Sequence, residues 1–263
     1  MSSKTNSGLN KHHKNQANKF VEDPNSDYSF WRSRDYEHRA EVLAIERLLK
    51  GMHFHEAVDL GGGYGRLSAI LGAYADHVTL AEPSQQQLEL AKEYLEDRPE
   101  IKRRLVAADK LDFKDGSIDL IILIRVMHLL SDPSGEFNEI ARVLSDDGYG
   151  IIEVANYMHA KNRIRHIIQR EKMPTEPVNL NPTKRRGQVV DPFVNHNPNT
   201  VIKQLAHAGL KVERILSVSN LRSPALKRII PTNALIAIEG ILQPTLAKTF
   251  FGPSVFFLIK KAN

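Results

Sequence analysis

The sequence predicts an α/β protein built on a doubly wound, largely parallel sheet, and three features predict it. The stretch AVDLGGGYGRLS, Ala57 to Ser68, runs from a short apolar strand into four glycines, after which Leu67, Ile70 and Leu71 resume at helical spacing. Strand, glycine turn and helix in that order open a doubly wound unit. The run IDLIILIRVMHLL is almost wholly apolar, as a strand covered on both faces must be. GYGIIEVAN supplies another such strand, and PSGEFNEIARVLSDDG between them reads as a helix ending at Gly148.

The remaining elements follow in chain order. Tyr36, Ala40, Leu43, Ala44, Leu48 and Leu49 form a helical stripe that Gly51 can stop. HVTLAEPS, His77 to Ser84, reads as a second strand, and RRLVAAD, ending at Asp109, as a third. Asn156 ends the fifth. In NPNTVIKQLAHAGL, Asn197 can cap a helix with Pro198 in its first turn. KVERILSVS and GPSVFFLIKK are expected as sixth and seventh strands, separated by the apolar helical segment IIPTNALIAIEGIL, for which cap or core packing is expected.

The glycine spacing discriminates among ligands. A dinucleotide fingerprint needs a third glycine at position 66, which is Arg66. What stands there is Asp59-x-Gly61-x-Gly63-x-Gly65, with Gly62 between; a carboxylate at this place repels a pyrophosphate and suits a cationic amino group. Glu82 follows 21 positions after Gly61, placed to accept hydrogen bonds from ribose hydroxyls. Asp59, the glycines, Glu82-Pro83 and Asp109-Lys110 together resemble the class I S-adenosylmethionine (SAM)-dependent methyltransferases, and RVMHLLSDP resembles their type 11 group. The resemblance covers roughly residues 37–156 and continues more weakly beyond.

That resemblance implies a Rossmann-like class I methyltransferase fold, a seven-stranded mixed sheet with helices on both faces. It implies SAM as cofactor and S-adenosylhomocysteine as product. Asp59 and Gly61, Gly62, Gly63 and Gly65 would hold the methionine portion, Glu82 with Pro83 the ribose, and Asp109 with Lys110 the adenine. The helix before the first strand helps cover the cofactor in this family, and Tyr28 and Trp31 can close the pocket or pack on the sheet edge. Methyl transfer needs mainly alignment, so a protein base is optional. Arg125 and His128 follow the fourth strand at the sheet's carboxyl edge: His128 can accept a proton or simply pack, and Arg125 can reach an acidic substrate or the SAM carboxylate. Ile124-Arg125-Val126-Met127 stands where methyltransferases of planar exocyclic amines carry [DN]-P-P-[YF], which disfavours that chemistry.

With 263 residues, 41% of them hydrophobic, one domain is expected over residues 26–263, after a basic disordered tail at 1–25. It carries a lid-like insert at about 157–198 and a helical insert at about 222–250. The chain has no cysteine, which excludes disulfides and cysteine-based zinc sites, and no metal site is expected. No apolar window is long enough to span a membrane, and the amino terminus lacks a secretory signal, so a cytoplasmic location is expected. The net charge of +5 is unevenly spread: residues 1–20 carry +4, 21–156 carry −11, 157–190 carry +6 and the rest +6. The basic segments can neutralise the acidic core or meet an anionic partner. The expected function is methyl transfer to a small or lipid-like acceptor. Its alternatives are an RNA methyltransferase using the basic insert, with Arg163, Arg165 and Lys184 to Arg186 against phosphates, and a non-catalytic partner subunit of the same fold. Peripheral membrane contact is compatible with the apolar carboxyl-terminal segment, and oligomeric state stays open.

Overall fold

A computed structural model of the chain describes residues 31, 34–180 and 193–262, so the expected tail, Tyr28 and Lys184 to Arg186 lie outside the described residues. Helix α1 (Asp35–Leu48) precedes β1 (Phe54–Leu60), α2 (Ser68–Leu71), β2 (Ala75–Glu82), α3 (Gln85–Tyr94), β3 (Lys102–Leu105) and β4 (Ile118–Leu123). Then come α4 (Ser134–Val143), β5 (Leu144–Ala155), α5 (Ala160–Gln169), the short strands β6 (Val178–Asn179) and β7 (Val194–Asn195), and α6 (Pro198–His207). Strand β8 (Leu210–Val218), α7 (Pro224–Ile229), α8 (Thr232–Thr245) and β9 (Ser254–Lys261) complete the fold.

The main sheet has the order β3-β2-β1-β4-β5-β9-β8. Strands β1 to β5 pair in parallel, and β9 runs antiparallel to both neighbours. It is the expected seven-stranded mixed sheet. Because side chains alternate across a strand, each inner strand feeds two cores. In β4, Leu120 and Ile122 enter the layer formed with α1, α3 and α8. Ile121 and Leu123 enter the opposite layer, with Phe137 and Ile140 of α4 and Val201 and Leu205 of α6. Two-sided burial explains why β4 reads as an unbroken apolar run.

One boundary differs from expectation. The fourth helix ends at Val143 rather than Gly148, because Leu144 is fully buried and pairs with Ile118 at the edge of β4. Leu120 then pairs with Tyr149, so the polar residues 145–148 bulge between two fixed contacts. Asp146, Asp147 and Gly148, a turn signature, are thus spent inside a strand.

Both inserts take shape on the sheet. The first contains α5 and the antiparallel pair β6-β7, tied back where Asn156 bridges His196. Asn197 caps α6 as expected, its side chain accepting from the Asn199 N–H at 3.0 Å. In the second insert α8 packs on α1 through a polar seam. The Tyr36 hydroxyl donates to Glu239 at 2.8 Å, and Gln243 donates to the Ala40 carbonyl at 2.8 Å. Core packing, chosen from sequence for this segment, is what α8 does. No helix among the described residues is long and apolar enough to cross a membrane.

Candidate active site at the carboxyl edge of the sheet

Parallel strands bring their carboxyl ends to one edge, and the chain's chemistry gathers there. Gly61 leaves β1 with φ +68°, a left-handed conformation that side chains resist, and a Cβ on it would lie 2.5 Å from Val126 Cγ2. Its bareness lets the turn after β4 close against the turn after β1. Gly62 faces Asp59: a Cβ there would meet the Asp59 carboxylate and lie 2.6 Å from Leu80 Cδ1. The glycine run is therefore shaped partly by the carboxylate beneath it.

Glu82 at the end of β2 is the centre of the site. One carboxylate oxygen accepts the Gly63 N–H at 2.9 Å and the other the Ser84 N–H at 3.0 Å. These bonds fix the group while leaving lone pairs for further donors, since a carboxylate offers about four acceptor positions. Burial pushes its pKa up to about 7 despite both bonds, and Asp59 adds to the rise. Asp59 is fully enclosed; burial raises it to about 6 against the Ser68 hydroxyl, which donates to it at 2.7 Å.

A cleft of about 230 Å³ opens over this turn. Of the residues predicted to bind ligand, Gly61, Glu82, Pro83, Asp109 and Arg125 line it. Asp59, Gly62, Gly63, Gly65 and Lys110 are not in its wall: Asp59 sits behind the turn, and Lys110 is exposed. Ala107, Ala108, Val126 and Leu130 supply apolar wall. Glu136 in the first turn of α4 lines the cleft as well, although sequence reading passed over it as one of many helix-surface acids.

Arg125 has φ +64°, and Glu153 on β5 accepts its N–H at 3.2 Å. Its guanidinium meets the buried Glu41 of α1 at 2.6 and 2.7 Å. Burial would lower its pKa, but Glu41 and Glu153 reverse that and leave it raised. The same Glu41 carboxylate pairs with Arg66 at 2.7 Å, and the Arg66 guanidinium lies 3.6 Å from the centre of the Trp31 ring. Two guanidiniums therefore flank one buried carboxylate beside the turn. Glu41 and Arg66 were not singled out from sequence, where Glu41 falls on a helix otherwise read by its apolar stripe. Arg125, expected to face a ligand carboxylate, spends its charge first on Glu41.

His128 stands in a 3-10 turn after β4, its ring 4.7 Å from that of Phe193 in the insert. Burial, reinforced by Arg125 and His196, lowers its pKa to about 4. It is neutral near pH 7 and therefore able to accept a proton, but only as a weak base. On the opposite edge of the sheet, ligand atoms of His55, Glu56 and His77 lie within 4.8 Å of one another, away from the cleft.

A doubly wound sheet in this strand order, with an acidic residue on each of the first two strand ends and a glycine turn between, defines the class I SAM-dependent methyltransferase architecture. Residues 58–152 match the family model described as a methyltransferase domain, of type 11. A Dictyostelium discoideum protein named as a methyltransferase is 34% identical over 106 residues, which are 38% of this chain and 38% of the relative. The chain thus aligns with well under half the length of that relative. A Haloferax volcanii methyltransferase, solved in complex with the Trm112 activator, superposes with a TM-score of 0.59 at 20% identity, over 90% of this chain and 98% of that one. The Burkholderia thailandensis 1,6-didemethyltoxoflavin N1-methyltransferase, solved with its substrate and S-adenosylhomocysteine, gives a TM-score of 0.61 at 14% identity, over 100% and 94%. At these identities the two structures speak for the fold.

Proposed function

We propose that the protein is a SAM-dependent methyltransferase acting on a small or lipid-like acceptor. The observation that carries this reading is Glu82, held by two backbone N–H groups at the cleft with acceptor capacity to spare. A cis-diol is the ligand feature that fits it. Asp109 at the same wall suits an amino group on a planar ring, and Ala107, Ala108 and Leu130 suit the ring's faces.

Bound there, SAM would supply an electrophilic methyl on a sulfonium, the acceptor lone pair bonding to the methyl carbon as the carbon–sulfur bond breaks and S-adenosylhomocysteine leaves. The chain's own part is mainly positional. Glu82 orients the ribose, and Glu136 and Asp109 add negative potential that favours a cationic ligand. The guanidiniums of Arg66 and Arg125 beside the glycine turn suit a ligand carboxylate, although Glu41 already engages both and Glu153 lies close to Arg125. The contact of Phe193, in the described part of the insert at 157–198, with the His128 ring in the turn after β4 supports a lid role for that insert. His128 is outside the residues that line the cleft and packs on Phe193, which argues against strong base catalysis, so the acceptor must be nucleophilic in itself or lose its proton to water.

Calorimetric titration with SAM, S-adenosylhomocysteine and NAD tests the reading, followed by transfer assays from labelled SAM to lipid and RNA extracts. Saturable binding of both adenosyl ligands and none of NAD is expected, with label entering the lipid fraction. Binding without transfer to any acceptor would leave the partner-subunit alternative in its place.

A further inference from the structure

Helix α5 is amphipathic in the inverted sense. The side chains it buries are polar: Asn162 donates to the Tyr157 carbonyl at 2.8 Å, and His166 lies 3.3 Å from the Tyr157 hydroxyl. Its aliphatic residues face outward, Ile164 at 58%, Ile167 at 75% and Ile168 at 76% exposure. Spaced i, i+3 and i+4, they form one contiguous patch. Lys161, Arg170 and Lys172 are exposed beside it, Arg163 is half-exposed, and the exposed Arg165 also donates to the Tyr157 hydroxyl at 2.9 Å; Glu171 is the only acid from 160 to 172.

The geometry points to α5 as a docking face for an anionic lipid bilayer. Three aliphatic side chains ringed by long cationic stems match the two signals of an interfacial helix, apolar insertion and attraction to acidic headgroups. Placement agrees. Helix α5 begins five residues after β5 ends, and its Ala160 N–H donates to the Phe251 carbonyl at 3.0 Å just ahead of β9. Because Ala155 pairs with Ser254, that point lies at the carboxyl edge of the parallel strands, the edge that carries the cleft. A bilayer against α5 would therefore present lipid beside the site. The inference rests on the methyltransferase reading for its purpose, but the contact itself does not.

Co-sedimentation of the untagged full chain with phosphatidylcholine vesicles, with and without phosphatidylglycerol, tests it. Binding is expected only to the anionic vesicles and is expected to fall in high salt. The double substitution Ile167→Asn and Ile168→Asn should weaken the partition coefficient at least about tenfold, because it removes most of the insertable surface. Its melting temperature and affinity for S-adenosylhomocysteine should match the parent, since both side chains are exposed. A parent chain that stays in the supernatant with anionic vesicles overturns the proposal. So does equal sedimentation of the double variant, which would assign the binding to other basic segments. Lys161→Glu with Arg170→Glu gives a second reading should the first variant fold poorly, and unchanged sedimentation of this pair also overturns it. S-adenosylhomocysteine titration of the same samples keeps failure of the methyltransferase reading separate.

Discussion

Glu82 sets the most direct expectation at the residue scale. Its folded pKa of about 7 lies above the usual 4.5, so lowering the pH through 7 puts a proton on the group that should accept the ribose hydroxyls. Affinity for S-adenosylhomocysteine is therefore expected to fall from about pH 8 to about pH 6, with protons released on binding where Glu82 starts protonated. Calorimetry in buffers of different ionisation enthalpy reads both. Glu82→Gln should bind roughly tenfold or more weakly at the alkaline end and lose most of that pH dependence, having given up charge-assisted bonds. Asp59 offers a stability test. Folding raises its pKa to about 6, so the folded state holds its proton more tightly and Asp59 costs stability as pH rises from its unfolded value through 6. Asp59→Asn, which can still accept from Ser68, should gain on the parent over that window and plateau above it, by ~3 kcal/mol at most. Denaturant melts at several pH values would show a constant difference if the group were not buried as described.

At the element scale the first helix matters more than its apolar stripe suggests. Helix α1 carries Glu41 to the paired guanidiniums of Arg66 and Arg125, and Tyr36 to Glu239 of α8. It ties the glycine turn, the turn after β4 and the second insert together. Glu41→Gln leaves the buried Arg66 guanidinium with a neutral partner and loosens Arg125, and the expected loss is about 3 kcal/mol by denaturant unfolding. Tyr36→Phe removes one donor from Glu239, which keeps those of Asn220 at 3.1 Å, and strands the Leu221 N–H, which the Tyr36 oxygen accepts at 2.9 Å. The loss should be about 1–3 kcal/mol, and a change within a few tenths would mean water replaces the hydroxyl freely. None of these acids declares itself in the sequence. Glu37, Glu41 and Glu46 look alike on a helix surface, and only the second insert, with Arg222 and Lys227 against Glu37, and the glycine turn, with Arg66 against Glu41, distinguish the enclosed two from Glu46.

At the scale of the whole molecule, an acidic core from 21 to 156 is followed by basic segments that fold back on it in part. Lys227 of α7 donates to Glu37 at 2.8 Å, and Lys261 of β9 reaches Asp146 at 3.1 Å. Among the described residues the cations of α5 show no comparable acidic cluster, the ion pair there being the loose His166 contact with Glu171 at 3.7 Å. Neutralising the core and meeting an anionic partner are thus divided between segments. Ligand binding should raise the melting temperature of the whole domain by mass action: S-adenosylhomocysteine at 100 times its dissociation constant contributes about 2.7 kcal/mol. The shift should vanish in a variant that no longer binds and persist in the α5 variants.

The sequence by itself determined the sheet, the glycine turn and the order of the site's backbone. Two-sided burial in β4, the helix stop at Gly51, the cap at Asn197 and the acid 21 residues after Gly61 are local or periodic signals, legible without neighbours. Tertiary structure alone decided that residues 145–148 bulge within β5, because Leu144 and Tyr149 are fixed by pairing partners on another strand. Only the fold placed Asp59 behind the turn and Glu136 in the cleft, and joined Arg125 to Glu41 across 84 positions. The same holds for α5, whose basic residues were readable while the side it turns outward was not. A period gives the faces of a helix. Which face is buried depends on what the rest of the chain brings against it.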